Sequence, residues 1–261
     1  MATAPFPLAG RCVLVTRPRE QAGALAAAIR ACGGEAQVAP LIEILPATDT
    51  RELEAACAAL DTFDLAFFVS PNAVRHALAY ICARRTWPTG LRVATVGGGT
   101  AAALHEAGFG NVIMPASGFD SESVLALPEF QPAAVRGRKV VVFRGDGGRP
   151  LLGATLVERG ARVEFITAYR RRCPDDDWTP WVARARAGTV DALVVTSSEA
   201  VENLTQLLGR DGLQAFASVA LFAPHERIAS AAREAGFTQV VNTDAGDEGV
   251  LAALCVAFGQ E

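Results

Sequence analysis

One spacing governs this chain. VLVTRP at residues 13–18 returns as VVVFRG at 140–145, setting Arg17 against Arg144 at 144 − 17 = 127 residues. Gly33 and Gly160 close the Ala/Leu-rich runs that follow, at the same separation, and VSPNAV (69–74) returns as TSSEAV (196–201). LHEAGFGNV then matches AREAGFTQV, Gly108 against Gly236 at 128, and SESVLAL matches DEGVLAA, Val124 against Val250 at 126. Five landmarks keep one offset to within a residue in a chain of 261, about twice that offset, so the sequence is an internal duplication.

Each copy alternates short apolar runs with longer Ala-rich ones. The runs 13–16, 65–69, 93–96, 140–143, 193–196, 219–222 and 240–242 are too short and too β-branched for helices and read as buried strands. The runs 21–32, 101–107, 151–159 and 228–235 read as helices, and Gly33, Gly108, Gly160 and Gly236 stand where a left-handed residue ends each one. Aromatic residues make up 7% of the chain against 51% hydrophobic, so the interior is mainly Ala, Val and Leu, which suits parallel sheets under Ala-rich helices. Strand–helix alternation implies right-handed crossovers with helices on both faces. The expectation is two flavodoxin-like or Rossmann-like α/β lobes. Segments 36–44 and 163–171 hold equivalent places and lack a helix signal. If both are extended they can pair antiparallel as a bridge, making one lobe the excursion between them. A plain cut near residue 127 is the alternative, and periodicity does not choose between the two.

Charge and cysteine usage narrow the function. With 24 basic and 28 acidic residues the net charge is −4, and the densest basic run, Arg170 to Arg172, is diluted by Asp175, Asp176 and Asp177, which argues against nucleic acid. Six scattered cysteines and three histidines form no ligand cluster, so no metal is expected, and most of the thiols read as buried and reduced. The start MATAPFPLAGR lacks a charged segment leading an apolar run, and no stretch is long enough to span a membrane; an intracellular, soluble protein is expected.

In open parallel sheets, ligands bind beyond the carboxyl ends of the strands, where helix N-termini present free N–H groups. Those ends read Thr16-Arg17-Pro18, Ser70-Pro71-Asn72, Gly97-Gly98-Gly99-Thr100, Arg144-Gly145-Asp146-Gly147-Gly148, Thr196-Ser197-Ser198 and Pro224-His225-Glu226. Ser70, Ser197 and Thr100 have a plain role as helix caps, but caps and anion sites use the same unsatisfied donors. Arg17 and Arg144 at equivalent strand ends suit a ligand with several carboxylates. Tyr169, one of two tyrosines, sits in the bridge segment before three arginines. Gly97, Gly99 and Ala102 imitate a dinucleotide fingerprint, but the next strand ends at Met114-Pro115 without the ribose-binding acid. No Walker loop, nucleophile triad or metal-ligand helix is present, which points to chemistry run by positioning.

In order and spacing, VLVTRP, FFVSPNAV, VATVGGGTAAAL, VVVFRGDGGRPLL, RGARVEFITAYRR, TSSEAVENL and HERIASAAREAGF together resemble the uroporphyrinogen-III synthase family over nearly the whole chain. The resemblance implies one lobe from residues 1–36 and 172–261, a second from 45–162, and a two-stranded linker from 37–44 and 163–171. It implies a cofactor-free enzyme whose partner is a many-carboxylate tetrapyrrole; a cytoplasmic monomer that needs neither nucleic acid nor membrane is the accompanying expectation. The reaction would be dehydrating cyclisation of hydroxymethylbilane through a spiro intermediate, with the last ring inverted. Tyr169 takes the position of the family's cleft tyrosine and becomes the candidate to assist hydroxyl departure. Ser70, Asn72, Thr100, Arg144 and Ser197 match polar cleft positions for acetate and propionate arms, with Arg17 a weaker match. His225 and Glu226 depart from the hydroxyl residues that many members carry there. The residues alone also leave room for a non-catalytic two-lobe binding protein of the hinge type.

Overall fold

In the computed structural model, residues 6–118, 120–147 and 151–259 are described, so Gly148 at the end of the glycine-rich loop lies outside them. Among these residues the strands are β1 (Cys12–Val15), β2 (Glu35–Val38), β3 (Glu43–Pro46), β4 (Leu65–Phe68), β5 (Arg92–Thr95), β6 (Val112–Ile113), β7 (Lys139–Gly145), β8 (Arg162–Arg172), β9 (Ala192–Val194), β10 (Ala220–Ala223) and β11 (Val240–Asn242). Helices alternate with them, and the four glycines that close helical runs all have positive φ: 87° at Gly33, 94° at Gly108, 89° at Gly160 and 104° at Gly236. A β-carbon is disfavoured in that region, which is why glycine ends these turns.

The chain builds two sheets. One runs β2-β1-β9-β10-β11, all parallel, and the other runs β3-β8-β7-β4-β5-β6, parallel except for the β3–β8 pair at its edge. Apart from β3, each sheet therefore takes the first two strands of one copy and the last three of the other. The shared order, second-first-third-fourth-fifth, is the flavodoxin-like one. Two compact units result: residues up to Glu43 with those from Arg172 onward, and Ile44–Arg171. The chain is not divided at the repeat boundary.

Paired aspartates hold each exchange in place. In one unit Asp191 accepts from the backbone N–H of Cys12 at 2.7 Å and from Arg11 at 3.2 Å. In the other unit Asp64, 127 positions earlier, accepts from the N–H of Lys139 at 2.9 Å and from Arg138 at 2.7 Å. Every member of one clamp is the repeat equivalent of a member of the other. Each clamp joins the start of a strand from one copy to the residue preceding a strand of the other.

The segments expected to form the linker behave differently from one another. Residues 37–44 do not run as one strand. The N–H of Ala39 still reaches Val15 at 3.1 Å and that of Leu41 reaches Thr16 at 3.0 Å, but Pro40 has no N–H, and β3 begins only at Glu43. Segment 163–171 is a full strand of the second sheet, in parallel register with β7 from Lys139↔Arg162 onward. Both faces of that sheet are covered: Ala66, Phe68, Val141 and Phe143 point into one apolar cluster, and Leu65, Phe67, Val140 and Val142 into another. The thiols are less buried than expected. All six are free, but only Cys12 and Cys57 are buried, and Cys82 is exposed. No helix among the described residues is long and apolar enough to cross a membrane.

Candidate functional site

In this strand order the crevice opens where neighbouring strands send their connections to opposite faces, between β7 and β4 in the second sheet and between β1 and β9 in the first. At the carboxyl ends of β7 and β4 lies a cleft of about 350 Å³, lined by Val69, Ser70, Arg144, Gly145, Phe165 and Tyr169 among others.

A one-residue irregularity in β8 aims Tyr169 into this region. The β7–β8 register runs in step through Arg144↔Thr167 and then jumps to Gly145↔Tyr169, leaving Ala168 without an opposite number. Strict alternation would turn Tyr169 away from Ile166 and Ala168. The bulge instead places Ala168 and Tyr169 in the same buried cluster, beneath the helix Pro71–Cys82. Tyr169 is 5% exposed, its ring stacks on His76 with centroids 5.8 Å apart, and its hydroxyl lies 3.1 Å from Ser70 Oγ. Gly145 admits the ring, since a Cβ there would stand 2.8 Å from Tyr169 Cζ.

Ser70 has extended backbone and caps the helix Pro71–Cys82, its Oγ accepting from the N–H of Ala73 at 3.1 Å. Arg144 emerges from β7 with its guanidinium over the Phe165 ring, 4.5 Å from the centroid, and its buried Nε makes no hydrogen bond. Behind that ring the helix Leu151–Glu158 packs so closely that a Cβ on Gly153 would come within 2.0 Å of Phe165 Cζ. The ring is thus a fixed platform that presents Arg144 to the cleft as a cation. Arg171, two positions beyond Tyr169 on β8, also lines the cleft, and its N–H donates to Asp146 at 3.1 Å. In the sequence Arg171 stands inside a diluted basic run, and only its strand parity with Tyr169 marks it out.

The remaining candidates lie elsewhere. Asn72 and Thr100 are buried in the first turns of the helices Pro71–Cys82 and Gly98–Glu106. In the other unit Arg17 forms an ion pair with Asp247, and Ser197 caps the helix beginning at Ser198 through the N–H of Ala200 at 3.1 Å. That unit repeats the arginine and the serine but carries Val38 and Ile42 where the other has Phe165 and Tyr169. The scaffold is duplicated; the phenol and the aromatic platform are not. His225 precedes the helix Glu226–Glu234, while Glu226 accepts from Arg233 at 2.7 Å and from Ser230 at 3.1 Å, contacts that lower its carboxyl pKa. Among the described residues no group of three or more His, Cys, Asp or Glu is arranged to hold a metal ion.

Fold and cleft together define a duplicated, doubly wound α/β protein with a small cleft at a topological switch point, largely apolar in its lining but provided with arginines and one buried phenol. The family model for uroporphyrinogen-III synthase HemD matches residues 23–252. The uroporphyrinogen-III synthase of Salmonella typhimurium is 35% identical over 241 residues, covering 92% of this chain and 97% of that protein. Its counterpart from Escherichia coli is 34% identical over the same length, with the same coverage. The chain belongs to the uroporphyrinogen-III synthase family. Two solved structures share its fold: a mutant uroporphyrinogen III synthase from Thermus thermophilus (TM-score 0.62, 20% identity, 96% of this chain and 100% of that one) and uroporphyrinogen-III synthetase from Helicobacter pylori (TM-score 0.58, 13% identity, 95% and 99%).

Proposed function

We propose that this chain is a cofactor-free uroporphyrinogen-III synthase, closing hydroxymethylbilane to the type III macrocycle with loss of water. Family membership supports the reaction. The observation that carries its assignment to a site is the buried Tyr169 hydroxyl, 3.1 Å from Ser70 Oγ, in the same cleft as Arg144.

In this reading Arg144 and Arg171 hold carboxylate arms of the substrate. Charge-assisted hydrogen bonds from guanidinium to carboxylate are short and directional, so they fix orientation as well as binding. Tyr169 gives its proton to the terminal hydroxyl as the C–O bond breaks, which releases water and leaves a phenolate and an azafulvenium cation stabilised by the pyrrole nitrogen. The substituted carbon of the last ring then bonds to that cation to give a spiro intermediate. The bond from that carbon to its original methylene bridge breaks, leaving a second azafulvenium cation, which closes onto the free α-carbon of the same ring. The proton that carbon sheds as aromaticity returns restores the phenol. Most of the advantage over the uncatalysed path is orientation, which can be worth roughly 7–11 kcal/mol when fully exploited. A phenol is a weak acid at neutral pH, so its proton contributes less than the positioning. Arg17, Asn72, Thr100 and Ser197 belong to the same proposal as further carboxylate contacts, and so does a monomer at work in the cytoplasm.

Feeding hydroxymethylbilane to the purified protein, oxidising the product and separating the isomers tests this directly. The expected product is mainly type III, against type I in the protein-free control. Type I alone from folded protein overturns the enzymatic reading in favour of a non-catalytic binder.

A further inference from the structure

We infer that Ser70 is a positioning residue that acts on the reaction through Tyr169, not by contact with a substrate arm. This rests on the reading of Tyr169 as the proton donor.

A serine hydroxyl has one hydrogen to give and two lone pairs to receive. One lone pair of Ser70 Oγ is taken by the N–H of Ala73 at 3.1 Å, and Tyr169 Oη lies 3.1 Å away on the same oxygen. If the phenol is to give its proton outward to a ligand, its oxygen must accept from Ser70. The hydrogen of Ser70 is available for that. The result is a directed chain, from the Ala73 N–H to Ser70 Oγ–H to Tyr169 Oη, starting at the positive end of the 12-residue helix Pro71–Cys82. Accepting from an N–H makes the serine a stronger donor, and the chain points positive polarity at the oxygen where negative charge develops.

The duplication supplies an internal comparison. Ser197 makes the same cap at the same 3.1 Å, but the repeat equivalent of Tyr169 is Ile42. Capping is therefore the role common to both copies, and the bond to the phenol is an addition found in one. Gly145 and the bulge at Ala168 serve that addition, since without them the Tyr169 ring cannot lie under Ser70.

The test is steady-state kinetics and product-isomer analysis with hydroxymethylbilane on Ser70→Gly, Ser70→Thr, Tyr169→Phe and the Ser70→Gly/Tyr169→Phe double variant. Glycine caps helices nearly as well as serine, so Ser70→Gly removes the hydroxyl with little loss of stability. The melting temperature of Ser197→Gly measures the cost of the cap alone. The expected result is a fall in kcat of about tenfold for Ser70→Gly, less than the roughly 10²–10⁴-fold that a full general acid supplies because the phenol itself remains, with KM changed less than about twofold. Ser70→Thr, which keeps a hydroxyl, restores most of kcat, and the double variant is no slower than Tyr169→Phe. A rise in KM at constant kcat, or losses that multiply in the double variant, would place Ser70 on the substrate and overturn the inference. With type III product from the wild-type chain, kcat unchanged in Ser70→Gly sinks this inference alone, and kcat unchanged in Tyr169→Phe sinks it together with the role given to Tyr169, while the synthase reading stands. Type I alone from the wild-type chain sinks both it and the functional proposal.

Discussion

The Tyr169 ring occupies the space that a side chain at residue 145 would need: a Cβ on Gly145 would lie 2.8 Å from Tyr169 Cζ and 3.2 Å from its hydroxyl oxygen. Gly145 does not have positive φ, so glycine is required there for room and not for backbone freedom. A residue in one strand thus fixes where the phenol of the next strand can lie.

Gly145→Ala should therefore displace the ring without straining the backbone. The expected loss of stability is about 1–3 kcal/mol, typical of overpacking, read from the denaturation midpoint. Turnover should fall by at least as much as in Tyr169→Phe, which itself is expected to remain folded and slow the reaction. A Tyr169→Phe protein that turns over at the wild-type rate would remove the phenol from the mechanism.

Arg144 and its aromatic platform make a second case. Stacking of a cation on a ring contributes about 0.5–2 kcal/mol. Arg144→Ala should lower stability by no more than about that amount. Its main effect should be on KM, by tenfold or more, because a charge-assisted contact to the ligand contributes about 1.5–3 kcal/mol. Phe165→Leu should raise KM less, by loosening the guanidinium. Parallel kinetics and melting curves separate these effects; equal losses in binding and stability would make Arg144 structural.

Acid should weaken the Asp64 clamp. The Lys139 N–H, and after it the Arg138 guanidinium, hold the Asp64 carboxyl below its ordinary pKa of 3.8. A carboxyl whose pKa is depressed in the folded state stabilises the fold above its unfolded pKa, and that stability is lost as pH falls through the folded value. Asp64→Asn should accordingly be less stable than wild type at pH 6, with the gap closing as pH falls from about 4 through the folded pKa, as followed by urea denaturation at a series of pH values from 6 downward. A gap independent of pH would show that charge at Asp64 is immaterial.

Thiol reactivity should follow exposure and acidity. Cys255 is pushed up to about 11 by burial and by the neighbouring Cys32, whereas Cys82 is exposed. Since the thiolate is the reactive form, brief alkylation of native protein at pH 8 should label Cys82 well before Cys255, as read by peptide mass spectrometry. Equal labelling of the two would contradict this ranking.

Much of this architecture can be read locally. The alternation of strand and helix runs, the glycines at 33, 108, 160 and 236 and the serine caps at 70 and 197 all depend on residues within a few positions of one another, and the offset near 127 needs only the comparison of short segments along the chain. Period, cap chemistry and the left-handed region of glycine are properties of short segments, so a sequence displays them. The arginine pair was visible for the same reason, as a residue type recurring at equivalent strand ends. The linker was legible only in part. Pro40 interrupts the ladder before β3 begins, and segment 163–171 pairs with β7 as a strand of the sheet.

What the sequence by itself determined is therefore a duplicated α/β chain with polar strand ends. Tertiary structure decided which halves share a sheet, and it did so through contacts between distant residues: Asp191 with Cys12, Asp64 with Lys139, Ser70 with Tyr169 and Arg144 with Phe165. It also made the two copies unequal. Skipping Ala168 in the β7–β8 register puts Tyr169 on the same face as its neighbour, and side-chain parity in a strand is fixed by pairing with a partner strand, which no local pattern records.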